Sequence, residues 1–101
     1  MSEQNLPIRW TKNALASAQA IDAFIAQDSP TQAINFVAEL KDKISLLRRF
    51  PHMGKDGRIN GTRELTLHEK YYVVYRVRQG AVEIIRLRHV AQKSAALGGR
   101  A

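Results

Sequence analysis

The chain has 101 residues, of which 45% are hydrophobic, with no cysteine and a formal net charge of +7. That length suits one domain with one modest core, and the absence of thiols excludes disulfides and any cysteine-based metal or nucleophilic chemistry. The charge is lopsided: residues 1–40 carry two basic and four acidic side chains, whereas residues 41–101 carry fourteen basic and five acidic.

A positive field of that kind attracts nucleic acid or an acidic protein segment. The plainer alternative is that the arginines only solubilise a sheet face. Residues 1–7 lack the basic start and apolar run of a signal peptide. No apolar stretch reaches membrane-spanning length. The expectation is a cytoplasmic protein with no membrane contact.

Pro7–Trp10 alternates Ile8 and Trp10 onto one side and is either a first strand or a lead-in. Thr11 can cap the helix that follows, because its hydroxyl can accept from the free amides of the first turn. Ala14, Ala18, Ile21 and Ile25 repeat at helical spacing, which predicts a helix from Lys12 to Ala26. Ser29-Pro30 opens a second helix, with Ser29 as cap and Pro30 where a missing N–H costs nothing. Ala33, Phe36, Val37, Leu40, Ile44 and Leu47 form its apolar stripe, and Phe50-Pro51 ends it. A link of about three residues makes the two helices an antiparallel hairpin.

His52–Gly61 reads as a surface loop with a basic lip at Lys55 and Arg58. Its glycines do not have phosphate-loop spacing. Three strands follow, over Thr62–Leu67, Tyr71–Arg78 and Ala81–His89, rich in Val, Ile and Tyr. Gln79-Gly80 joins the last two as a tight hairpin turn. Residues 1–6 and 93–101 are expected to be flexible tails. The expected fold is α+β: a single domain over 1–101, with a helical hairpin packed on a small antiparallel sheet in the order β-α-α-β-β-β.

A two-residue turn sets Arg78 opposite Ala81 and Arg76 opposite Glu83. Strict alternation then gives a core face of Tyr71, Val73, Tyr75, Val77, Val82 and Ile84. The outer face holds Tyr72, Val74, Arg76, Arg78, Glu83, Ile85, Leu87 and His89. A three-residue turn would exchange one strand's faces relative to the other. The outer face has an apolar floor ringed by charge, the kind of surface that binds something. The partner-binding candidates are Arg58, Arg63, Tyr72, Arg76, Arg78, Ile85, Arg86, Leu87 and Arg88, since guanidinium groups pair carboxylates and phosphates bidentately. No His/Asp/Glu cluster has metal-ligand spacing, so neither a metal nor another cofactor is expected.

The segments GTREL (Gly61–Leu65), YYVVYRV (Tyr71–Val77) and VEIIRLRHVAQ (Val82–Gln92), with FPHMG at Phe50–Gly54, resemble the RelE/ParE superfamily of type II toxin–antitoxin toxins. The likeness runs from Ile8 to Gln92 and includes the terminal H-x-x-Q. It implies a growth-arresting cytoplasmic toxin, neutralised in a hetero-oligomer by a cognate antitoxin that lays an acidic or amphipathic segment over it. RelE-like members cut messenger RNA on the ribosome; ParE-like members poison DNA gyrase and do no covalent chemistry themselves. In a branch of the nucleases an arginine begins the second-to-last strand and a histidine ends the last. The resemblance makes His89 a candidate catalytic residue, as a metal-independent endoribonuclease would use it. However, the arginine position falls on Tyr72, and Val90 stands where a tyrosine is expected after the histidine. The ParE-like, gyrase-inhibiting branch is therefore favoured over the RelE-like one. A plain nucleic-acid-binding module is a further alternative.

Overall fold

The computed structural model describes residues 5–68 and 70–91, with only the backbone of His68. Two helices, α1 (Lys12–Asp28) and α2 (Pro30–Arg49), pack on one face of a five-stranded sheet. The strands are β1 (Ile8–Trp10), β2 (Lys55–Asp56), β3 (Arg63–His68), β4 (Tyr71–Arg78) and β5 (Ala81–His89), in the spatial order β1-β5-β4-β3-β2. The expected element order holds, with one short strand added inside the glycine-rich connection.

Pro7–Trp10 does contain a strand, and it runs parallel to β5, with Ile8 beside Val82 and Trp10 beside Ile84. The sheet is therefore mixed rather than wholly antiparallel. The helical hairpin between β1 and the later strands lets the chain return in the same direction. Leu6 belongs to the folded part: its N–H donates to the Arg48 carbonyl, and the Arg48 Nε donates back to the Leu6 carbonyl at 3.1 Å. Residues 1–4 and 92–101 lie outside the described residues.

The helices end where their capping residues require. The Thr11 hydroxyl accepts from the Ala14 N–H at 3.0 Å, and the Ser29 hydroxyl accepts from the Gln32 N–H at 3.1 Å. Each satisfies an amide that the first helical turn leaves without an internal partner. Helix α1 runs two residues beyond Ala26, so Ser29 alone links the helices. The buried stripe of α2 is Ala33, Phe36, Leu40, Ile44 and Leu47. It meets Val73, Tyr75, Val82, Ile84 and Leu87 of the sheet in one core. Phe36 and Tyr71 meet edge to face, with ring centroids 5.5 Å apart.

The β4–β5 hairpin has the expected two-residue turn. Gln79 (φ 53) and Gly80 (φ 74) both take the left-handed conformation, which matches the twist of the flanking strands. Arg78 pairs with Ala81 and Arg76 with Glu83, as expected. Beyond Tyr75–Ile84 the register slips, because Val74 pairs with Arg86 and Ile85 is the extra residue of a β-bulge. The slip reverses the faces of the rest of β5. Leu87, expected on the outer face, is 2% exposed in the core opposite Val73. His89 likewise moves to the helix side, opposite Tyr71. Arg86 and Arg88 turn outward in their place.

Helix α1 secures the bulge. The Thr11 hydroxyl donates to the carbonyls of Ile84 and Ile85 at 2.9 and 3.0 Å. The Ser17 hydroxyl accepts from the Leu87 N–H at 2.9 Å. Strand β1 covers β5 only as far as Ile84, whose carbonyl also accepts from the Thr11 N–H at 3.1 Å; beyond it these two side chains serve the Ile85 carbonyl and the Leu87 N–H.

Candidate functional site

The candidate site is the sheet face away from the helices. Its floor is Val74 and Ile85, and its wall is the turn between β2 and β3. Arg58, Ile59, Thr62, Glu64, Tyr72, Val74, Ile85, Arg86 and Arg88 enclose a shallow cavity of about 300 Å³. The bulge explains the grouping: it places Ile85 and Arg86 side by side on the outer face, and Arg88 follows by alternation. Tyr72 pairs with Arg88 across the hairpin, and Val74 with Arg86.

Glu64 stands on the same face, opposite Val74, and is only 6% exposed. Its carboxylate accepts from the Arg58 N–H at 3.2 Å, which ties the loop to the sheet. A buried carboxylate needs such donors. The cavity thus combines three guanidinium groups with one carboxylate and an apolar floor. A ligand that fits it carries negative charge outside and apolar surface within.

The upper part of the face holds a second cluster. Arg76 Nε donates to Glu83 Oε1 at 2.6 Å, the cross-strand pair expected from the register. That hydrogen bond holds the Glu83 carboxyl below its ordinary range. Burial opposes it, and the charges of Arg76, Arg78 and Arg9 reinforce it. Arg9 is brought next to Glu83 by the parallel pairing of β1, a contact distant in sequence that adds an arginine to this face.

Arg63 lies elsewhere. It is on the core side of β3, opposite Tyr75, and its guanidinium donates to the carbonyls of Gly54 at 2.8 Å and His52 at 3.3 Å. Tyr75 completes that arrangement: its hydroxyl donates to the Pro51 carbonyl at 2.8 Å and accepts from the Gly54 N–H at 2.9 Å. The FPHMG, GTREL and YYVVYRV segments therefore meet in one latch that fixes the loop after α2. Arg63 is an anchor of that loop, not a member of the arginine face.

His89 is also separated from the arginines. Its ring stands edge-on to Tyr71, with centroids 5.0 Å apart, and its Nδ1 accepts from the Ala91 N–H at 2.9 Å. It lines an apolar hollow with Ala20, Ile21, Phe24 and Tyr71 on the helix side. Of the residues the sequence singled out, the structure gathers Arg58, Tyr72, Ile85, Arg86 and Arg88. It sets Arg76 and Arg78 further along the same face. Ile59 and Thr62 were missed because nothing in a glycine-rich loop says over which face it folds. The bulge had a signal, namely adjacent Ile84 and Ile85, where strict alternation calls for one apolar residue.

Among the described residues, no group of three or more His, Cys, Asp or Glu could hold a metal ion, and no helix is long and apolar enough to cross a membrane.

Residues 8–93 match the family model described as the ParE toxin of the type II toxin–antitoxin system parDE. The protein Y4kP of Sinorhizobium fredii is 38% identical over 87 residues, covering 85% of this chain and 90% of that protein. Toxin RelE2 of Caulobacter vibrioides is 36% identical over 83 residues, covering 82% of this chain and 93% of that toxin. Among solved structures, a chain of the chromosomal ParDE TA system from P. aeruginosa superposes with a TM-score of 0.72 at 23% identity. It covers 85% of this chain and 97% of that one.

Proposed function

The chain belongs to the family of ParE toxins of type II toxin–antitoxin systems, and from that premise we propose that it acts on DNA gyrase, stabilising cleaved DNA without cutting nucleic acid itself. The observation that carries this reading is the separation of His89 from the arginines. A group that takes a proton in phosphodiester cleavage must reach the hydroxyl that attacks, while cations surround the same phosphate. Here the imidazole faces α1 and Tyr71, and Arg58, Arg86 and Arg88 surround a cavity on the opposite face of the sheet. Tyr72, at the place where the nucleases carry an arginine, adds no permanent cation.

The arginine face then serves as a protein-docking surface. Guanidinium groups around an apolar floor suit acidic and apolar side chains together. The same chemistry suits an antitoxin whose acidic segment covers the face and neutralises the toxin. The likeness to a ParDE system supports a partner of that kind.

The test uses toxin freed of its antitoxin, with gyrase, ATP and supercoiled plasmid. The expected result is linear plasmid after detergent and protease treatment. Unimpaired supercoiling and no linear DNA, from a chain that still arrests growth, would overturn the gyrase reading. It would favour messenger RNA cleavage on the ribosome, the reading to which the likeness to RelE2 lends support.

A further inference from the structure

The turn beside the arginine cavity carries an Asn-Gly pair, Asn60-Gly61, between two residues of its lining. Ile59 and Thr62, the residues on either side, both line the cavity. The Thr62 N–H donates to the Ile59 carbonyl at 3.0 Å and the Thr62 hydroxyl donates to the same oxygen at 2.6 Å, so Asn60 and Gly61 form the tip. Both are exposed. Gly61 has a φ of +87, and a Cβ built on it would meet nothing within 4 Å. Among the described residues, neither the Asn60 carboxamide nor the Gly61 N–H is engaged in a hydrogen bond.

We propose that Asn60 is a deamidation site whose product places a carboxylate on the turn beside the arginine cavity and turns the toxin's binding face down with time. It rests on that face being the binding surface. The Gly61 amide nitrogen loses its proton to hydroxide and bonds to Asn60 Cγ. The bond from Cγ to the carboxamide nitrogen breaks, and that nitrogen leaves as ammonia after taking a proton from water. Water opens the resulting five-membered imide: its hydroxyl bonds to one of the two ring carbonyl carbons, the bond from that carbon to the Gly61 nitrogen breaks, and the proton returns to that nitrogen. The product is an aspartyl or isoaspartyl residue at position 60. Glycine favours the ring closure because no side chain shields its nitrogen. The new charge arises two residues from Arg58, within the loop that faces Arg86 and Arg88. It competes there with any acidic partner group.

The other asparagines, Asn5, Asn13 and Asn35, precede Leu, Ala and Phe and serve as internal comparators. The full chain is aged at mildly alkaline pH and mapped by peptide mass spectrometry with isoaspartate labelling. Conversion is expected at position 60 ahead of the other three. Equal or slower conversion there would end the proposal. Independently, Asn60→Asp and Asn60→Ser chains are labelled with phenylglyoxal, with exposed Arg78 as reference. Labelling of Arg58, Arg86 or Arg88 should be roughly threefold lower in Asn60→Asp, the size of a surface ion pair's effect. Equal labelling would show that the charge does not reach the arginines and would also overturn it. Neither readout involves gyrase, so a failed gyrase assay and a failed deamidation are told apart.

Discussion

The Tyr75 hydroxyl serves two backbone groups of one loop, the Pro51 carbonyl and the Gly54 N–H. Tyr75→Phe removes both hydrogen bonds while keeping the ring, and should cost about 1–3 kcal/mol, read as a lower urea midpoint. An unchanged midpoint would mean that the loop does not depend on the hydroxyl. Gly54 leaves no room for compensation there, since a Cβ on it would lie 2.7 Å from that hydroxyl and 2.9 Å from the Glu64 carbonyl oxygen. Glu83 gives a pH signature. Its hydrogen bond from Arg76 holds the carboxyl below its ordinary range in the folded chain. The folded state therefore binds that proton less readily than the unfolded one. The stabilisation is complete above the ordinary carboxylate range and is lost as pH falls through the lowered value. Wild type should exceed Glu83→Gln in stability at neutral pH, with the gap closing in acid. A gap that stays constant across that range would remove the pair from the explanation.

At the level of elements, the bulge in β5 decides what the site contains. Without it, Arg86 and Arg88 would point at the helices and Leu87 at solvent. Ser17→Ala should leave the Leu87 N–H unserved, at about 1–3 kcal/mol, and should loosen the arginine face. Hydrogen exchange at Leu87 is the check: it should quicken, and unchanged protection would mean that strand pairing suffices. Much of this architecture was legible. The helix stripes, the Thr11 and Ser29 caps and the Gln79-Gly80 turn each have a local chemical cause, and the Arg76–Glu83 pair fixed the near half of the hairpin register. What was not legible depends on contacts distant in sequence. The parallel pairing of Ile8–Trp10 requires β5 to be present. The bulge requires Thr11 and Ser17 to receive the backbone groups it displaces. Arg63 read as a binding residue because its carbonyl partners at Gly54 and His52 come together only in the fold.

For the whole molecule, the sheet divides the candidate chemistry between two sides. The helix side holds the core and His89 beside Tyr71; the open side carries Arg9, Arg58, Arg76, Arg78, Arg86 and Arg88. A concentrated positive field speeds encounter with an acidic partner and weakens as salt rises. Arg86 and Arg88 are half-buried and line the cavity. Replacing both with alanine should leave stability within about 0.5–1 kcal/mol of wild type, as surface changes usually do. If they bind the target, linear plasmid formed with gyrase should fall at least tenfold or so, because a docking site loses two central guanidinium groups. His89→Ala makes the opposite prediction. The ring's contact with Tyr71 is worth about 0.5–1.5 kcal/mol, so stability should drop by that order while gyrase poisoning per folded molecule persists. The pair of variants separates docking from catalysis. Loss of growth arrest in a folded His89→Ala chain, with the double arginine variant still active, would place the working chemistry on the helix side and refute the docking account.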